Sequence, residues 1–229
     1  MNIALILSGG QGIRFCSDTP KQYITIEGKP IISYCLETMV NHSMIDCIQI
    51  VADNKWHDFI LNEIHSDKFK GFSKPGKTRQ LSIYNGLTDI LKYADDNDCV
   101  LIHDAARPLV SDDLVKRCIE STYKHDGVLP VLPMKDTLYY SEDVKTISSL
   151  LSREKIFAGQ APEAFNLGKY FKANYDLMPD RILEINGSSE PAVIAGMDIA
   201  IIEGEESNFK ITTKADMDKF LMLKGSDIK

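Results

Sequence analysis

The feature that most restricts the fold is an alternation. Short apolar runs at residues 3–7, 45–51, 99–103 and 128–132 are separated by stretches with helical periodicity. Runs this short and this continuous suit parallel strands buried on both faces. Pro30 fits a first-turn position for a helix reaching Val40, and Asn54 and Ser111-Asp112 fit caps for helices starting near Lys55 and Asp113. The rhythm therefore predicts an α/β protein, a Rossmann-like and mostly parallel sheet with helices on both faces. Between Asp136 and Leu151 the helical pattern stops. Thr137-Leu138-Tyr139-Tyr140 and Thr146-Ile147-Ser148 there read as a two-stranded excursion. The tail returns to α/β, with a strand at 199–202, a short strand at 209–212 and a closing helix at 214–223. With no internal repeat or low-complexity linker, the 229 residues read as one domain.

Composition removes several classes of function. A 44% hydrophobic and 26% charged chain can bury a sizeable core. The formal charge of −7 opposes a nucleic-acid partner. The first apolar run lacks a basic flank and enters Gly9-Gly10 directly, so it reads as a strand and not a leader. No apolar run is long enough to span a membrane, and a cytoplasmic location is expected. Cys16, Cys35, Cys47, Cys99 and Cys118 are dispersed and form no C-x-x-C pair, which argues against disulfides and zinc.

The first strand runs into Ser8-Gly9-Gly10-Gln11-Gly12-Ile13-Arg14, followed by Pro20-Lys21-Gln22. Glycines at the carboxyl end of a first parallel strand let backbone N–H groups approach phosphate oxygens, and Arg14 and Lys21 add positive charge. The plainer alternative is a simple turn with two solvated cations. A dinucleotide fingerprint is disfavoured because Phe15 stands where its third glycine belongs. The sharper rival lies at Gly71-Phe72-Ser73-Lys74-Pro75-Gly76-Lys77-Thr78, which matches the P-loop pattern, with 99–104 as a strand ending in a metal-binding aspartate. Mostly charged or polar residues 66–70 precede it where a buried strand is required, so a P-loop NTPase is the minor alternative.

Five segments occur in a recognisable order: Ser8-Gly9-Gly10-x-Gly12-x-Arg14, Pro20-Lys21-Gln22-Tyr23, Gly76-x-x-Arg79-x-x-Ser82, His103-Asp104-Ala105-Ala106-Arg107-Pro108, and Asn208-Phe209-Lys210-Ile211-Thr212. Together they resemble the cytidylyltransferases acting on 2-C-methyl-D-erythritol 4-phosphate and on ribitol 5-phosphate. The resemblance spans nearly the whole chain. It implies transfer of CMP from CTP to a phosphorylated small molecule, with a β-arm at about 136–160 clasping a second subunit in a homodimer. It also implies nucleotide contacts from Ser8, Gly9, Gly10, Gly12, Gly76, Arg79, Ser82 and Ala105, with the main chain of 8–10 reading the cytosine edge.

Two polyanions must meet in such a reaction, so cations are the main catalytic requirement. Arg14 and Lys21 would grip the triphosphate and Lys210 would approach it from the far end of the chain. Asp104 would hold Mg²⁺, although alone it could equally be a turn residue. His103 reads as a packed residue, and Arg107 as either a structural ion-pair partner or a site residue. Thr137 and Arg153 are candidate contacts to the acceptor phosphate, with Arg107 beside them.

The acceptor side departs from the family pattern. Gln160-Ala161-Pro162-Glu163 replaces a T-P-Q segment, and Asn186-Gly187-Ser188-Ser189-Glu190-Pro191 stands where T-D-(D/E)-A-S is usual. Ala105-Ala106 favours the methylerythritol branch, taken as the default, whereas residues 157–160 and 203–208 look like the ribitol branch. A non-catalytic nucleotide-binding protein would share the loop but could dispense with Lys21, Asp104 and Lys210.

Overall fold

The computed structural model describes residues 1–10 and 19–226. In chain order the first half comprises β1 (Asn2–Leu7), a 3₁₀ turn (Lys21–Tyr23), β2 (Thr25–Ile26), β3 (Lys29–Pro30), α1 (Ile31–Asn41), β4 (Cys47–Val51), α2 (His57–Leu61), β5 (Phe69–Ser73), α3 (Arg79–Ile90) and β6 (Cys99–Asp104). The second comprises α4 (Asp112–Ser121), β7 (Gly127–Pro133), β8 (Leu138–Tyr140), β9 (Ser149–Leu151), β10 (Phe157–Gly159), β11 (Glu163–Asn166), α5 (Leu167–Tyr175), α6 (Glu190–Ile194), β12 (Ile199–Glu203) and α7 (Lys214–Ser226).

The main sheet runs β10-β7-β11-β6-β1-β4-β5, with β12 off this path and paired in parallel to β7. The strands β6, β1, β4 and β5 are mutually parallel, and β11 is antiparallel to both β6 and β7. Alternating side chains build a core on each face. Ala4 and Ile6 pack with α1 and α4, whereas Ile3 and Leu5 pack with α3 and α5. This is the layered α/β fold that the apolar rhythm predicts.

Connections leave β1 in opposite directions. The chain steps outward through β4 to β5, then returns to lay β6 on the other side of β1. Such a reversal opens a crevice at the strands' carboxyl ends. Register places Ser73, Val51, Leu7 and Asp104 in one row along that edge, so the four loops that follow these residues emerge side by side.

Several local expectations shift. Pro30 is the residue before α1 and not part of its first turn. Asp53, not Asn54, caps the short helical turn, its Oδ1 accepting from the Lys55 N–H. Ser111 caps α4 by accepting from the Leu114 N–H. The second arm strand is Ser149–Leu151 and not 146–148, because Asp143 Oδ1 accepts the N–H groups of Lys145 and Thr146 and holds them in the turn. Residues 209–212 form no strand; Ile211 N–H reaches the Ala106 carbonyl at 2.9 Å while its side chain is buried against Phe220 and Met217.

The strand thought to be missing before Gly71 exists, but it runs through the motif. Gly71, Phe72 and Ser73 pair with Gln49, Ile50 and Val51, so the first three of the eight residues in the supposed phosphate loop are locked in the sheet. Thr78 Oγ1, which a P-loop would turn to a metal, instead accepts from the Leu81 N–H as the cap of α3.

Candidate active site

A cleft of about 460 Å³ opens over the row of strand ends, lined by Ser8, Gly9, Gly10, Tyr23, Trp56 and Gly76 among others. Its floor is the end of β1. A Cβ on Gly9 would come within 2.7 Å of the Pro75 ring, so only glycine lets these loops meet, whereas Gly10 faces open space. The 75–78 turn is fixed by Ser82, whose Oγ accepts from the Gly76 N–H and donates to the Thr78 carbonyl, both at 2.9 Å. Ser82 thus acts on the loop and does not line the cleft; Arg79 and the buried Ala105 do not line it either.

Arg79 points instead to Asp104. Its Nη2 and Nε lie 3.0 and 3.2 Å from Asp104 Oδ1. Lys210 Nζ donates to Oδ2 at 2.9 Å, and Arg107 Nε stands 3.8 Å from the same oxygen. Burial pushes the Asp104 carboxyl up, but Arg79, Lys210 and Arg107 outweigh it and hold the acid below its usual range. Three cations against the Asp104 carboxylate, with the buried Glu163 acid beside Arg79, leave a local excess of positive charge. A polyanion is the ligand such an excess suits.

Lys210 arrives from a distant segment because its neighbours are stitched down. Arg107 Nη1 donates to the Asn208 carbonyl at 2.6 Å, and Asn208 Nδ2 donates to the Ala161 carbonyl at 2.7 Å. Arg107 is therefore both a structural tie and a member of the charged cluster. His103 is fully buried, its Nε2 is 3.1 Å from the Arg107 carbonyl, and burial lowers its pKa to about 4. It is a neutral packed residue, as its position predicts.

Thr137 and Arg153 lie at the base of the arm, where Arg153 Nη1 donates to the Lys135 carbonyl at 3.0 Å. Among the described residues no hydrogen bond or ion pair joins either to Asp104, Arg79 or Lys210. Gly12, Arg14 and Cys16 lie outside the described residues. The other four cysteines are buried thiols. No helix among the described residues is long and apolar enough to cross a membrane.

Trp56 stands in no motif, and the contacts of Gln22, Glu163 and Ser188 cannot be read from the segments that carry them. Trp56 forms a cleft wall by stacking on Tyr23 at 4.1 Å; the only sequence hint was that the loop after the second buried strand had to flank the first. Gln22 bridges two floor carbonyls. The two divergent acceptor segments meet, with Ser188 Oγ donating to Glu163 Oε1.

Glu163 is 6% exposed, and its Oε2 has no hydrogen-bond partner among the described residues. Burial pushes its carboxyl from 4.5 up to about 7, with Arg79 pulling it back. Because the folded pKa is raised, the folded protein loses stability relative to the unfolded chain as pH rises from 4.5 to 7. Glu163→Gln should therefore be more stable than the parent by about 3 kcal/mol at pH 8 and gain little below pH 4.5. Thermal unfolding at both pH values reads this; an equal offset at each would refute the buried-carboxyl account.

The profile of IspD, 2-C-methyl-D-erythritol 4-phosphate cytidylyltransferase, matches residues 2–222. The chain belongs to the IspD family. Members with two different names match it equally well. A ribitol-5-phosphate cytidylyltransferase of Vibrio parahaemolyticus is 32% identical over 220 residues, covering 94% of this chain and 92% of the relative. A 2-C-methyl-D-erythritol 4-phosphate cytidylyltransferase of Thermosipho melanesiensis is 31% identical over 219 residues, covering 95% of each. Among solved structures, a 4-diphosphocytidyl-2C-methyl-D-erythritol synthase superposes with a TM-score of 0.81 at 25% identity, covering 97% of both chains. The Francisella tularensis member of the IspD family gives 0.80 at 25% identity, covering 96% of this chain and 98% of that one. This chain is accordingly a cytidylyltransferase, and the P-loop motif in it is a coincidence of spelling.

Proposed function

We propose that the enzyme transfers CMP from CTP to a phosphorylated polyol and releases pyrophosphate. The supporting observation is the Asp104 cluster, with Arg79, Arg107 and Lys210 gathered beside a nucleoside-sized cleft. An acceptor phosphate oxygen attacks the α-phosphorus; that P–O bond forms as the bond to the pyrophosphate oxygen breaks. The attacking phosphate is already ionised at neutral pH, so no general base is required, consistent with a neutral, packed His103. Lys21, Arg14 and Lys210 would stabilise charge on the equatorial oxygens.

Mg²⁺ fits this site in one way. Among the described residues no group of three His, Cys, Asp or Glu side chains could cage a metal. A single carboxylate beside phosphate groups is, however, a usual Mg²⁺ environment, and Asp104 would be the residue that holds the ion. Bound there, it would supply neutralisation of phosphate charge.

The default acceptor is 2-C-methyl-D-erythritol 4-phosphate. Ribitol 5-phosphate is the second reading: residues 157–160 and 203–208 look like the ribitol branch, and they form one unit, Gln160 Nε2 donating to the Glu205 carbonyl and Glu205 N–H donating to Gln160 Oε1, both at 2.9 Å. The deciding experiment incubates the enzyme with CTP, Mg²⁺ and each of these phosphates among a panel of sugar and polyol phosphates, and measures pyrophosphate. Release with one acceptor names it; release with none, alongside hydrolysis of ATP alone, overturns the reading.

The arm supports a homodimer of this enzyme. Tyr139, Tyr140, Val144, Ile147 and Leu150 are exposed on a two-stranded ribbon, an apolar surface that a second copy would cover. Sedimentation as a monomer at micromolar concentration would exclude that.

A further inference from the structure

The two residues that follow Lys21 have no role in the chemistry above, yet both are buried, Gln22 at 4% and Tyr23 at 3% exposure. A primary amide has two N–H hydrogens. Gln22 Nε2 uses them on the Ser8 and Gly10 carbonyls, each at 2.8 Å. Tyr23 donates its hydroxyl hydrogen to the Ser8 carbonyl at 2.9 Å and accepts from Ser8 Oγ at 2.8 Å. Ser8 N–H is spent on the Val51 carbonyl at 2.8 Å. The Ser8 main chain is therefore saturated by protein, which moves any reading of a base edge from Ser8 to Gly9 and Gly10.

We infer that Gln22 is a positioning residue for the donor nucleotide: it locks the Ser8 and Gly10 carbonyls and thereby ties the cleft floor to the turn that carries Lys21. The inference rests on the CTP reading of that cleft. A glycine pair has wide conformational freedom, and a Cβ at Gly10 would meet nothing within 4 Å, so packing there does not set the peptide direction. Gln22 supplies the missing restraint before ligand arrives, and a preorganised floor binds without having to be ordered. Because Lys21 and Gln22 share one 3₁₀ turn, the clamp also sets where the lysine stands relative to the nucleotide.

Gln22→Met keeps length and removes both donors; Gln22→Glu keeps shape and offers two carbonyls only another acceptor. With two hydrogen bonds lost, each variant should raise the KM for CTP roughly tenfold or more and lower kcat, leaving the acceptor KM unchanged. Tyr23→Phe, which loses one donor to Ser8 and keeps the ring stacked on Trp56, should show a smaller shift in the same direction. The single tryptophan of the chain, Trp56, lines this cleft, so its fluorescence follows Mg²⁺-CTP binding without acceptor or turnover. Wild-type protein that neither responds to CTP nor releases pyrophosphate sinks the CTP reading itself. Wild-type protein that binds CTP while folded Gln22→Met binds it equally tightly, or variants in which both KM values rise together, overturns the positioning role. If Gln22→Met does not fold, the comparison of Tyr23→Phe with wild type decides it by the same two criteria.

Discussion

Lys210→Ala should lower turnover at least about a hundredfold, the usual cost of removing one preorganised group aimed at transition-state charge. Its Nζ sits 2.9 Å from Asp104 Oδ2 and its side chain is about one-third exposed, so an arriving phosphate can reach it. Asp104 keeps Arg79 after the substitution, so the folded state should lose no more than about 1 kcal/mol. Loss of rate with little loss of stability is the signature sought, by steady-state pyrophosphate release and thermal unfolding on one preparation. Lys21→Ala should match it in rate. A Lys210→Ala enzyme with near-normal turnover would remove that lysine from the mechanism.

Asp104→Asn should have the opposite profile, failing in stability as well as rate. The neutral amide leaves Arg79, Arg107 and Lys210 facing one another with no counter-charge, and removing one partner of a buried ion cluster costs about 3–5 kcal/mol. Because these cations depress the folded-state pKa of Asp104, its contribution is present above pH 4 and is lost as the pH falls further. The parent and variant should therefore differ in melting temperature at pH 7 and converge in acid. Added pyrophosphate should raise the melting temperature of Asp104→Asn more than that of the parent, since an anion can take the place of the missing carboxylate. A variant that melts with the parent at pH 7 would show that the cluster contributes nothing to the fold.

How much of this was readable depends on distance along the chain. The strand at 3–7 and its glycine loop are local signals, and the buried, parallel β1 follows from them. Asp104 at a strand end and Lys210 in its short motif were each legible, but their contact across 106 positions was not. Arg79 is similar: its place at the start of a helix could be read, its aim at Asp104 could not, because that depends on β5 and β6 lying on either side of β1 and β4. Trp56 was overlooked because its loop carries no motif, and it joins the cleft only through its ring stack with Tyr23. The arm's second strand was misplaced since β-branched Thr146 and Ile147 carry strand propensity, whereas three contacts to Asp143 settle the turn.

The tie between Asn208, Ile211 and the loop after β6 has a consequence for a shortened chain. Every strand of the main sheet lies before residue 204, so a chain that stops just short of residue 210 still carries all of them. It leaves the carboxylate at the strand end without one of its three cations and the Ile31 cluster without Ile211, Met217 and Phe220. Such a chain keeps the strands of the scaffold and is chemically silent, its competence residing in the last stitch.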